Sequence, residues 1–190
     1  MNVRERRLVR RLKQRDERAF REMVLTYQQQ VYNIVFRMLN NQQEAEDLTQ
    51  EVFVTVFKSI ESFRGDSKLS TWLYRISVNH CKNRFKYLSR RAYNATRSLD
   101  DVREREKSDI PLHGEVSRPD QVLEGKRLEA AISREIAALE DDHRILIVLR
   151  DIQGLTYDEI VTITSLPVGT VKSRLHRARM ALKDRLEKFL

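Results

Sequence analysis

The chain has 190 residues, with 36 Lys and Arg against 28 Asp and Glu for a net charge of +8, and 5 Gly and 3 Pro. That length accommodates one ordinary domain or two small ones. The low Gly and Pro content, 34% charged residues and few alternating apolar runs exclude a β-rich architecture and favour an all-α chain with a polyanionic partner. No apolar run reaches the roughly 18 residues of a membrane span, and "MNVRERRLVRRLKQR" lacks the apolar core of a secretory signal, so the expected location is cytoplasmic.

From the N-terminus, "DERAFREMVLTYQQQVYNIVFRML" repeats apolar residues at three- and four-residue steps behind Asp16, which predicts a long capped helix over 16–39. Asn41 and Glu44 stand in capping-box relation before a second helix running to about Ile60. On it, Val52, Phe53, Val56, Phe57 and Ile60 are expected to face the core. Asp47, Gln50, Glu51 and Val54 share a different arc, at i, i+3, i+4 and i+7. An acidic, partly apolar face suits a protein partner better than a nucleic acid; a merely solvated face is the plain alternative.

"ESFRGDSK" breaks the periodicity at Gly65, and Ser67 or Ser70 is placed to cap a third helix through "STWLYRISVNHCKNRFKYLSRR". With Trp72 as origin, Arg75, Asn79, Lys82, Asn83 and Lys86 fall within an arc of roughly 100°. An aromatic ring on a stripe of amides and cations is what a single strand needs, because bases stack on the ring while cations follow phosphates. Trp72 is equally readable as a core anchor. One cysteine, Cys81, cannot form an intramolecular disulfide and is expected to be a packed thiol, and the four histidines show no metal-ligand spacing. No metal and no cofactor are expected.

Residues 98–125 contain two prolines, two glycines and 8 acidic against 4 basic residues, the signature of an acidic linker. Four helices are expected after it: "RLEAAISREIAAL", "DDHRILIVLRDI", "TYDEIVTITS" with Thr156 and Glu159 as a capping box, and a last helix beginning near Pro167. In that last helix Val168, Val171, Leu175, Ala178, Leu182, Leu186 and Phe189 form a buried stripe within roughly 80°. Pro167 fits the first turn, and Gly169 permits close approach of another backbone. Only "SLPV" joins the last two helices, short enough for a helix-turn-helix whose final helix enters a major groove. Arg174 and Arg177 would then meet base edges or phosphates. Thr170, Lys172 and Ser173 would contact the backbone, and His176 shares the exposed face.

These stretches resemble a bacterial RNA polymerase sigma factor of the sigma-70 family, of the extracytoplasmic-function class (group 4). "AEDLTQEVF" is similar to the region that docks on the β′ clamp helices of core polymerase; "SFRGDSKLSTWLYRISVNHCKNRF" is similar to the −10 recognition and melting region; "GLTYDEIVTITSLPVGTVKSRLHRARMAL" is similar to region 4, which reads the −35 element. The resemblance implies a sigma-2 domain over 1–95, a linker over 96–122 and a sigma-4 domain over 123–190. It implies that Phe63, Arg64 and Lys68, in the loop before Trp72, serve −10 binding and melting together with Trp72, Arg75, Asn79, Lys82, Asn83 and Lys86. By the same analogy the Ser62–Lys68 loop and Asn79 hold a flipped base, and the partners are core polymerase at its β′ clamp helices and β flap, promoter DNA, and an anti-sigma factor. Such a chain catalyses no covalent step. Two rivals remain at this level: a stand-alone helix-turn-helix regulator, and a nuclease using Asp100, Asp101 and His113.

Overall fold

The computed structural model describes residues 1–98 and 129–187, with side chains of the first stretch described to residue 91. All of its regular elements are helical. They are α1 (Val3–Lys13), α2 (Glu17–Leu39), α3 (Gln42–Ser59) and α4 (Leu69–Ser98) in the first stretch. The second holds α5 (129–137), α6 (Asp141–Ile147), α7 (Tyr157–Thr164) and α8 (Val168–Leu186). Asp100, Asp101 and His113 lie outside the described residues, as do Phe189 and residues 99–122 of the expected linker, whereas its first three positions, 96–98, continue α4.

The start of the chain is more ordered than its sequence suggests at first sight. Asn2 Oδ1 accepts the Glu5 N–H at 2.8 Å, capping α1, whose Leu8, Val9 and Leu12 are buried. Asp16 caps α2 by accepting from the Arg18 and Ala19 N–H groups. Asn41 accepts from the Glu44 N–H at 3.0 Å, but the Glu44 carboxylate turns away to Arg84, so the expected reciprocal box is not closed. Neither Ser67 nor Ser70 caps α4. Instead the Leu69 N–H donates to Glu5 Oε1 at 2.5 Å, so α1 supplies the cap from 64 residues away. A cap made by a distant side chain has no local sequence signal.

Helices α2, α3 and α4 pack on one another around Met23, Ile34, Met38, Leu48, Val52 and Leu73, all with 1% exposure or less. Phe57, expected in this core, is 47% exposed; its ring rests 4.6 Å from Phe20 while the Arg15 guanidinium covers it at 5.1 Å. Cys81 is fully buried, and burial pushes its thiol up to about 12, so it is a packing residue.

In the second unit α6 widens into a π-helical turn over Val148–Ile152, where the Gln153 N–H reaches back five residues to Val148 O. Such a turn inserts an extra residue per turn and redirects the chain. Gly154, at φ +67°, completes the redirection. The Thr156–Glu159 capping box is formed in both directions and starts α7. Helices α6 and α7 pack on α8 through its buried Val171, Leu175 and Ala178. Val168, assigned to that stripe, is 46% exposed because it opens the helix before α8 reaches its neighbours.

The two units touch. Helix α7 lies along α4, and Arg144 of α6 donates to Met38 O at the end of α2 at 2.7 Å.

Candidate nucleic-acid interface

The α7–α8 connection is three residues long, with Ser165 left-handed at φ 58° and Pro167 at the N-cap of α8 rather than inside its first turn. Proline has no side chain able to cap, so the first N–H groups of α8 have no side-chain acceptor. A Cβ built on Gly169 would meet nothing within 4 Å, so the close approach that glycine permits is available to an outside group, not used within the chain. Lys172, Ser173, His176 and Arg177 are exposed on the outward face, and Thr170 and Arg174 are half-buried. Arg174 is anchored to Asp142 of α6 at 2.5 Å. Among the described residues, the hydrogen bond of the Arg177 side chain is to the Ser173 carbonyl, at 3.5 Å. Tyr157 carries two cations on its ring, Arg150 at 4.8 Å and Lys172 at 5.5 Å, which fixes Lys172 at the mouth of the turn.

On α4, Arg75, Asn79, Asn83 and Lys86 are exposed, Lys82 is half-buried, and Arg64 is exposed in the preceding loop. Trp72 is half-buried, its ring 5.2 Å from that of Phe63 at an interplanar angle of 47°. Phe63 is itself only 3% exposed, so it is corrected from a contact residue to the support beneath Trp72. Trp72 thus packs through part of its ring, as a core anchor does, while another part faces out. Gly65 gives the loop its turn, at φ 82°. Lys68 is not free. Its ammonium bonds Glu159 Oε1 at 2.9 Å, which raises its pKa and holds the Glu159 carboxyl below its usual value.

Around the bundle from that stripe, Asp47, Gln50, Glu51 and Val54 of α3 line one open groove of about 410 Å³ together with Thr55 and His80. His80 and Thr55 had no part in the sequence reading. His80 Nε2 meets Thr55 Oγ1 at 2.9 Å, and its Nδ1 lies 3.7 Å from Glu51. The signal was the i, i+4 spacing of His80 and Arg84 on the α4 flank opposite Lys82 and Lys86. Arg84 bonds Glu51 at 2.9 Å and Glu44 as well. Glu51 is thus steered from below, whereas among the described residues Asp47 accepts only from the neutral Gln43 amide, at 3.3 Å.

Residues 23–91 match sigma-70 region 2, and residues 129–182 match sigma-70 region 4. The RNA polymerase sigma-H factor of Pseudomonas aeruginosa is 36% identical over 183 residues, spanning 96% of this chain and 94% of the relative. The chain belongs to the sigma-70 family. It is a sigma factor of the extracytoplasmic-function type, for the ECF RNA polymerase sigma-E factor of Escherichia coli K12 is likewise 36% identical over 186 residues, 96% of this chain and 94% of that one. Two solved structures share the fold. CnrH, in complex with the cytosolic domain of CnrY, aligns with a TM-score of 0.67 at 22% identity, over 97% of each chain. Bartonella quintana RpoE, in complex with the anti-sigma factor NepR, aligns with a TM-score of 0.65 at 23% identity, over 88% of this chain and 96% of the other. For this sigma factor, the region 2 match takes in α4 as far as residue 91, and the region 4 match takes in α7 and α8 as far as residue 182.

Proposed function

We propose that this sigma factor, of the group 4 type, docks on the β′ clamp helices of core RNA polymerase through the groove of Asp47, Gln50, Glu51 and Val54. Residues 1–95 act as the sigma-2 domain, 96–122 as a linker crossing the polymerase, and 123–190 as the sigma-4 domain, which also meets the β flap. Helix α8 enters the major groove at −35. Lys172, Ser173 and Thr170 set its register on phosphates, and Arg177, with His176 beside it, reaches base edges. At −10, the outward part of Trp72 stacks on an unpaired base, Asn79 and Asn83 offer amides, and Arg75, Lys82 and Lys86 follow the strand. Unstacking a base step costs a few kcal/mol, and these contacts offset it without any covalent step.

One observation carries this reading: the same two-helix face pair presents a cationic, aromatic stripe on α4 and, on the flank between α3 and α4, a carboxylate-lined groove. A duplex-binding regulator has no use for the groove. The protein acts in the cytoplasm, with an anti-sigma factor as its restraining partner. In-vitro transcription with purified chain and core polymerase on a promoter library tests the whole: specific initiation is expected, and its absence with a folded chain overturns it.

A further inference from the structure

Helix α1 presents a charge pattern that none of the roles above uses. At about 100° per residue, Leu8, Val9 and Leu12 fall together on the side that is buried, while Arg6, Arg7, Arg10 and Lys13 fall within an arc of roughly 120° on the other side. All four are exposed. The one acidic residue of the helix, Glu5, points the opposite way and caps α4. The neighbouring cations are neutralised, Arg11 by Asp16 and Glu22 and Arg15 by Glu61, whereas none of the four forms an ion pair with the described residues. A solvated helix face usually intersperses both signs; this one has a single sign over its whole length.

Position gives that face a purpose. The Glu5 bond to the Leu69 N–H fixes α1 at the N-terminal end of α4. The Met1 side chain lies 3.6 Å from where a Cβ on Gly65 would stand, and α1 packs on the Ile60–Ser62 turn. Helix α1 therefore borders the 62–68 loop on the side away from Lys82 and Lys86. Cations at 6, 10 and 13 span about 10 Å of helix axis, the rise of about three successive phosphates of one strand.

We propose that Arg6, Arg10 and Lys13, with Arg7 beside them, bind the DNA backbone that continues past the 62–68 loop, extending the phosphate track of α4 beyond the bases held at Trp72. The contact is sequence-independent and adds affinity and salt dependence, not base preference. It rests on the promoter-binding reading above.

The test uses holoenzyme assembled from the full chain and core polymerase, with promoter DNA. The triple variant Arg6→Gln, Arg10→Gln, Lys13→Gln is compared with wild type and with Arg6→Lys, Arg10→Lys. Each phosphate contact contributes about 0.7 to 0.9 to the slope of log affinity against log salt, so loss of three lowers the slope by about 2 to 3. The wild-type advantage should then shrink by about 20- to 40-fold between about 50 and 200 mM salt. The lysine variant should keep the wild-type slope. DNA trimmed to end at the loop-bound bases should bind both proteins alike. An unchanged slope in the triple variant overturns the proposal, as does loss of polymerase association with the slope intact, which would make α1 a protein contact. Failure of wild-type holoenzyme to bind the promoter at all would strike the underlying reading instead.

Discussion

Trp72 is the only tryptophan in the chain, which lets one residue report on its own surroundings. Its ring leans on Phe63, which is almost fully buried. Removing that support should cost about 3 to 5 kcal/mol of stability, the usual range for truncating a buried Phe. The emission of Phe63→Ala should also move to longer wavelength as Trp72 becomes more wetted. Single-stranded −10 DNA should quench the emission of the isolated wild-type chain by stacking; unchanged emission with the strand bound would remove Trp72 from the strand-capture role. Arg174 and Arg177 separate in the same way. Arg177 carries no carboxylate among the described residues, so Arg177→Ala should weaken promoter binding by about 1 to 3 kcal/mol and relax −35 preference, with the melting temperature unmoved. Arg174→Ala breaks the Asp142 pair and should lower both promoter affinity and thermal stability. Promoter titrations beside thermal melts of the two variants check the distinction. Helical spacing puts both arginines near the face proposed to meet DNA; only tertiary packing distinguishes the one already bonded.

At the level of elements, the helices of 17–39, 42–59 and 157–164 are legible because their apolar residues repeat at helical steps and their caps are local, and those of 141–147 and 168–186, which have no side-chain cap, by their apolar residues alone. What is not legible depends on distant partners. Helix α1 carries Leu8 and Leu12 at i, i+4 behind Asn2, but six arginines among its residues and flanks mask the short apolar face. The start of α4 is set by Glu5, and the π-helical turn at 148–152 leaves no composition signal. The acidic face of α3 is legible as a face, whereas its pairing with Arg84 and His80 is not, because α4 supplies those groups. Glu159 joins two tasks, closing the capping box of α7 and bonding Lys68. Its carboxyl is held low first by Lys68 and then by the Thr156 N–H, so its contribution is complete above the ordinary value near 4.5 and is lost as pH falls through the lower folded value. Melting temperatures of wild type and Glu159→Gln should differ at neutral pH and converge in acid. Thr156→Ala, which removes the hydroxyl that accepts the Glu159 N–H and donates to the Glu159 carboxylate, should cost about 1 kcal/mol and carry a smaller part of that pH dependence than the loss of the Lys68 bond, the larger cause.

At the level of the whole molecule, the contact between the two units turns on Arg144. Its guanidinium donates to Met38 O at 2.7 Å and Leu139 O at 2.9 Å, and lies 4.9 Å from the Phe85 ring centre, with only 12% of the side chain exposed. Burial lowers its pKa against the opposing pull of the Asp141 carboxylate at 3.4 Å, and its Nε has no partner among the described residues, so it is a largely desolvated cation held by carbonyls, a ring and one carboxylate. Around it are two pairs nearer the solvent, Arg37 with Ser133 and Glu129, and Lys68 with Glu159. Exposed pairs contribute about 0 to 1 kcal/mol each, whereas hydrogen bonds to a charged group contribute about 1.5 to 3 kcal/mol. Arg144 should therefore govern whether the units stay together. In Arg144→Ala the Met38 carbonyl loses its donor, and small-angle scattering should give a larger radius of gyration at unchanged helicity. Arg144→Lys should behave much like Ala, because a single ammonium cannot serve both carbonyls and the ring with the planar fork geometry. Arg37→Ala should shift the radius less, and a radius in Arg144→Ala equal to wild type would show that the apolar contact of α4 with α7 holds the units together without it. If the units do separate, α8 gains freedom relative to α4, and the same variant in holoenzyme should tolerate a wider range of spacings between the −35 and −10 elements.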